Sequence, residues 1–160
     1  MNTLEGWFSL IGVQTDQPAW QAVEERFGFN TDGVQLIHGL GRVHIKPAGV
    51  HALLFKPARG VTGPLQICGF QFCARGRRGS AAYSGDLPQG LRFGDSRQSV
   101  QARLGVSAEA AASNTASWTV GDRRLVVAFE PDDQGIRDVT WIVPLEAITR
   151  VWRQDHVRPA

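Results

Sequence analysis

With 160 residues, 42% of them hydrophobic and 20% charged, the chain is long enough for one domain with a sizeable core and too apolar for intrinsic disorder. Seventeen basic and 15 acidic residues leave a formal charge of +2, which excludes bulk positive charge as a reason to bind nucleic acid. No run of residues approaches the length of a membrane-spanning helix.

The N-terminal MNTLEGWFSLIGVQTDQ has no basic n-region and no long apolar stretch, so no signal peptide is read there and the expected location is cytoplasmic. Residues 10–28, LIGVQTDQPAWQAVEERFG, predict a first helix. Thr15 or Asp16 is placed to cap it, and Pro18 fits its first turn, where a missing N–H costs nothing. Trp20, Val23 and Phe27 form one apolar stripe, and Gly28 supplies the left-handed stop. The runs VQLIH, GRVHIK, HALLFK and LQICGFQF follow, separated by Gly and Pro, and read as strands. In residues 65–72, alternation sets Cys68, Phe70 and Phe72 against Ile67, Gly69 and Gln71. Cys68 and Cys73, five apart, then point to opposite faces and read as buried thiols rather than a disulfide.

ARGRRGSAAYSGDLP is the join, with a basic cluster, Arg75-Gly76-Arg77-Arg78, read as a solvated loop. Residues 87–105, LPQGLRFGDSRQSVQARLG, predict a second helix: Asp95 caps it, Gln98 answers as in a capping box, Val100 and Leu104 share a face, and Gly105 ends it. SWTV, RRLVVAF and IRDVTWIV are the later strands, turned at Gly121-Asp122 and at EPDDQG. Leu125, Val127 and Phe129 oppose Arg124, Val126 and Ala128; Val139, Trp141 and Val143 oppose Asp138, Thr140 and Ile142. PLEAITRVWRQDHVRPA predicts a short C-terminal helix with a frayed tail.

The expected fold class is therefore α+β: two tandem helix-plus-antiparallel-strand (αβββ) units, residues 1–78 and 79–160, forming one compact unit with a curved sheet and helices on one face. Helices cover the apolar side of the strands, and the mixed side stays open, a surface suited to protein recognition.

Catalytic and ligand signatures are missing. His38, His44, His51 and His156 have no Cys, Asp or Glu at ligand spacing, and no H-E-x-x-H, C-x-x-C, G-x-S-x-G or P-loop occurs. Asp132-Asp133-Gln134-Gly135 resembles half a calcium loop but lacks the later bidentate Glu, so a hairpin turn is expected. No enzyme activity, metal or cofactor is expected.

YSGDLPQGLRFGDSRQSVQARLG, followed by Trp118, RRLVVAFEPDDQGIRDVTW and a Pro-Leu end, resembles a group of small bacterial immunity proteins of type VI secretion and related polymorphic-toxin systems. Their pattern is a Leu-Pro-x-Gly-Leu-x-Phe lead, a polar cap, a helix ending Leu-Gly, an aromatic strand and a hairpin with an acidic turn. The helix-then-strands unit is also similar to the β-lactamase-inhibitor-protein fold, whose tandem units form a curved sheet that binds another protein. The resemblance spans residues 83–144 and implies an immunity protein that neutralises a cognate, cytoplasm-acting secreted toxin by covering its active site. The expected partner is that protein, not nucleic acid or membrane, and the expected contacts lie on the less apolar sheet face and its rims: His44, Gln71, Trp118, Arg124 and Thr140. A non-catalytic adaptor or a small ligand-binding domain is the alternative.

Overall fold

A computed structural model describes residues 3–56, 63–76 and 79–144. The C-terminal helix expected over 144–160 and the pair Arg77-Arg78 fall outside those residues, apart from Pro144. Among the described residues three α-helices, α1 (Leu4–Phe8), α2 (Pro18–Phe27) and α3 (Arg97–Leu104), accompany seven strands. The strands are β1 (Leu40–Ile45), β2 (Val50–Phe55), β3 (Gln66–Cys73), β4 (Ala110–Ala111), β5 (Thr115–Val120), β6 (Arg123–Phe129) and β7 (Ile136–Ile142). They make one antiparallel sheet in the order β1-β2-β3-β7-β6-β5-β4. No helix among the described residues is long and apolar enough to cross a membrane.

Both longer helices begin and end largely as their residues dictate. Pro18 opens α2, and Gly28 closes it at φ 65; Gly105 closes α3 at φ 70. These left-handed positions favour a residue without a Cβ. The caps differ from expectation. Gln17 stands at the start of α2 with no side-chain cap, because Thr15 Oγ1 is engaged by the Leu65 amide at 3.0 Å. Ser96, not Asp95, caps α3, accepting from the Ser99 amide at 3.2 Å, while Asp95 accepts from the Arg92 amide at 2.8 Å. VQLIH is not a strand; it contributes only the Ile37–Leu40 bridge.

Six of the seven strand runs read in sequence are strands, the short β4 was not among them, and a bulge alters the parity of β3. Ile67 pairs with Leu54 and Gly69 with Leu53, so Cys68 is the extra residue. Ile67 therefore joins Phe70 and Phe72 on the core side, and Cys68 packs with Ile142 in a smaller apolar cluster. Alternation alone had placed Cys68 with the two phenylalanines.

The main core runs under the whole sheet. Ile45, Val50, Ala52, Leu54, Phe70, Phe72, Leu125, Val127, Phe129, Val139 and Trp141 meet Trp7, Trp20, Val23 and Val100 from the helices. Each fully buried large side chain contributes about 1.5–3 kcal/mol through its removal from water. Helix α1, not foreseen from sequence, ties the two halves of the sheet together. Trp7 packs on Phe70 of β3 with ring centroids 5.4 Å apart, and Phe8 stacks on Trp141 of β7 at 5.3 Å. The halves themselves meet along β3–β7, where Gly69 to Cys73 pair with Ile142 to Asp138.

Candidate protein-binding face

In a strand every second side chain points away from the helices, and cross-strand partners share a face. The pairings His44–His51, His51–Gln71, Gln71–Thr140, Thr140–Val126 and Val126–Ser117 therefore trace one row across β1, β2, β3, β7, β6 and β5. Arg42, Leu53, Asp138, Arg124 and Thr119 flank that row. The smaller apolar cluster of Cys68 and Ile142, with Leu40, Leu53, Phe55 and Val143 against it, contains no helix residue.

Polar groups on this face hold one another in place. Gln71 sits centrally, donating from Nε2 to Asp138 Oδ1 at 2.9 Å and accepting from Arg42 Nη1 at 3.3 Å. Arg137 Nε donates to the other Asp138 oxygen at 3.0 Å. On the far side Arg124 donates to Ser117 Oγ at 2.8 Å and pairs with Glu109 at 3.5 Å. Glu109 also accepts from the Thr119 amide and hydroxyl at 3.0 and 2.9 Å, and these bonds, then Arg124, hold its carboxyl below the usual range.

The His44 and His51 rings stack, centroids 4.0 Å apart and planes 13° apart. Burial, then Lys46 and Arg42, lowers the His44 pKa. Burial above all, with His44 and Arg42, pushes His51 down to about 4, against an opposing pull from Asp138. Both rings are therefore neutral at pH 7, with N–H donors and lone-pair acceptors to offer.

Four of the five residues expected at the recognition surface, His44, Gln71, Arg124 and Thr140, lie on this one face. Trp118 does not. It pairs with Leu125 on the helix-covered side, is only 2% exposed, and donates from its indole N–H to the Val106 carbonyl at 3.2 Å. Trp118 is a core residue. The signal was present in S-W-T-V, whose alternation puts Trp118 with Val120 and away from Ser117 and Thr119. Three further residues of the face were not among the expected contacts: Arg42, Glu109 and Asp138, although alternation had already set Asp138 beside Thr140. Arg42 shares strand parity with His44, which would have found it; Glu109 lies outside the predicted strands.

Two surface clefts have other characters. One, of about 540 Å³ beside the β6–β7 turn, is bordered by Arg75, Phe93, Glu130 and Gln134, with Arg75 and Glu130 paired at 3.4 Å. The other, of about 700 Å³, is bordered by Thr15, Glu24, Asn30, Asp32 and Lys56. Its Glu24 carboxylate already accepts from both the amide and the hydroxyl of Thr31, which fixes the chain after α2. Among the described residues no group of three or more His, Cys, Asp or Glu side chains is arranged to hold a metal ion. Burial raises the Cys68 thiol to about 12, so it stays protonated and unreactive. Comparison with family models, with curated proteins and with solved structures found no match to this chain.

Proposed function

We propose that the chain is an immunity protein that binds a cognate bacterial toxin through the sheet face that carries no helix among the described residues and covers the toxin's active site. The observation that carries this reading is the row from His44 to Ser117, six strands wide, in which Gln71 is held by Asp138, Ser117 by Arg124, and the two imidazoles by stacking on each other. Six strands at about 4.8 Å and six residues at about 3.3 Å give a platform of roughly 29 by 20 Å. That is of the order of the ~800 Å² that each partner contributes to a stable interface once rims are counted. Side chains ordered before binding lose little entropy on docking, which favours affinity.

The architectural part of the reading is that α2 with β1–β3 and α3 with β5–β7 are two αβββ units joined through β3 and β7, as in tandem-unit inhibitor folds. The resemblance over residues 83–144 supplies the toxin as partner and the cytoplasm as the place of action. Inhibition on this scheme is steric, and no side chain of the chain performs chemistry.

Co-expression with the product of the adjacent open reading frame tests it. The expected result is restored growth and a complex that survives size-exclusion chromatography. Thr140→Arg, which places a bulky charge at the centre of the face, is expected to abolish protection while leaving the melting temperature within a few degrees. A toxic neighbour that the wild-type chain neither binds nor neutralises would end this reading.

A further inference from the structure

Charge on the open face is unevenly satisfied. Arg124 of β6 pairs with Glu109, and Asp138 of β7 is paired with its neighbour Arg137. Arg42 on β1 and Lys46 in the turn that follows are both exposed, and neither pairs with a carboxylate among the described residues. Arg42 reaches only the neutral Gln71 Oε1. The two cations flank the stacked imidazoles: Arg42 disfavours a proton on each of them and Lys46 on His44, while Asp138, held by Gln71 and Arg137, pulls the other way on His51 alone. Next to this corner lies the apolar floor of Leu53, Leu40, Phe55 and Ile142.

We propose that the corner formed by Arg42, His44, Lys46 and His51 is the docking point for a carboxylate-bearing surface of the protein partner. This rests on the binding reading above and adds the partner's chemistry to it. A guanidinium offers a planar fork of donors that matches a carboxylate, and Arg42 spends only one of its five N–H groups internally. The neutral imidazoles add N–H donors without self-repulsion. An apolar floor beside a charged rim is the anatomy of a protein interface. A phosphate backbone is engaged by an extended series of cations, and two cations beside leucines do not make such a track.

The test needs no toxin. The full chain is titrated with oligo-L-glutamate while the imidazole ring signals of His44 and His51 are followed by NMR at neutral pH, with oligo-L-lysine and oligothymidylate as parallel titrants. Glutamate is expected to move both ring signals and to raise the pKa of each histidine, because a nearby carboxylate favours the imidazolium. Added salt should reverse the effect, and lysine should produce none. The double variant R42Q/K46Q, which keeps hydrogen-bonding capacity but loses charge, should weaken the response by about tenfold; Arg92→Gln, elsewhere on the chain, should not. Unmoved histidines, a response indifferent to R42Q/K46Q, or tighter binding of oligothymidylate at the same signals would overturn the assignment. Failure here leaves the co-expression result standing, and a failed co-expression leaves this titration readable.

Discussion

Two stacked histidines give the molecule a defined response to acid. The ordinary histidine value is 6.5 and that of folded His51 is about 4, with His44 also lowered. Below 6.5 the unfolded chain therefore binds protons that the folded chain refuses. Their contribution to stability is complete above 6.5, declines as the pH falls through the window from 6.5 to 4, and levels off beneath it. The urea midpoint should drop between about pH 7.5 and about pH 4.5, and His51→Gln should shrink that drop. An equal drop in the variant would assign the acid response to other groups. Gly69 carries a second residue-scale expectation. A Cβ there would run into the Trp141 carbonyl and the Ile142 backbone across the β3–β7 pairing, so Gly69→Ala should cost about 1–3 kcal/mol in chemical denaturation. Neither effect was legible in sequence, because a cross-strand neighbour exists only once the register is known. Gln71, Arg124 and Thr140 were set on the mixed face by parity alone; Trp118 was misplaced by treating one aromatic in a short strand as a rim residue.

Helix ends were the most legible elements, since Pro18, Gly28 and Gly105 each have a conformational reason to stand where they do. The caps were read one or two residues off. Asp95 and Ser96 are adjacent and both suit the role, and what separates them is the Arg92 amide that Asp95 takes. Removing the Ser96 hydroxyl (Ser96→Ala) should cost about 1 kcal/mol, and Ser96→Asp should recover most of it, read from thermal melts of the three proteins. Recovery of nothing by Asp would mean that the Ser99 bond is not what starts α3. The strand runs were also legible, the bulge at Cys68 was not. Alternation presumes unbroken pairing, and an inserted residue changes the face of everything beyond it while leaving the composition of the strand unaltered. Helix α1 escaped notice because five residues, LEGWF, are too few to display a helical period.

At the scale of the molecule, α+β character, antiparallel strands in one sheet and the placing of the helices against the apolar side followed from patterning; the short seventh strand did not. One apolar core extends from Trp20 under the N-terminal half to Phe129 under the C-terminal half, so the two are not independent. Thermal and urea unfolding should each give one transition, with fluorescence and circular dichroism coincident. Fragments 1–78 and 79–160 expressed separately should lack dispersed amide spectra, since each would leave a central strand edge unpaired and half the core in water. Well-dispersed spectra from either fragment would show that the seam is dispensable.

The seam also sets an order of events during synthesis. β3 ends at Cys73 and its partner β7 ends at Ile142, so the second is completed 69 residues after the first (142 − 73). At roughly 5–20 residues per second a ribosome takes about 3–14 s to cover that distance. Throughout that interval the nascent N-terminal half holds an open edge that includes Phe70 and Phe72, exposed to pairing with other emerging chains. Final closure of the sheet waits for β7.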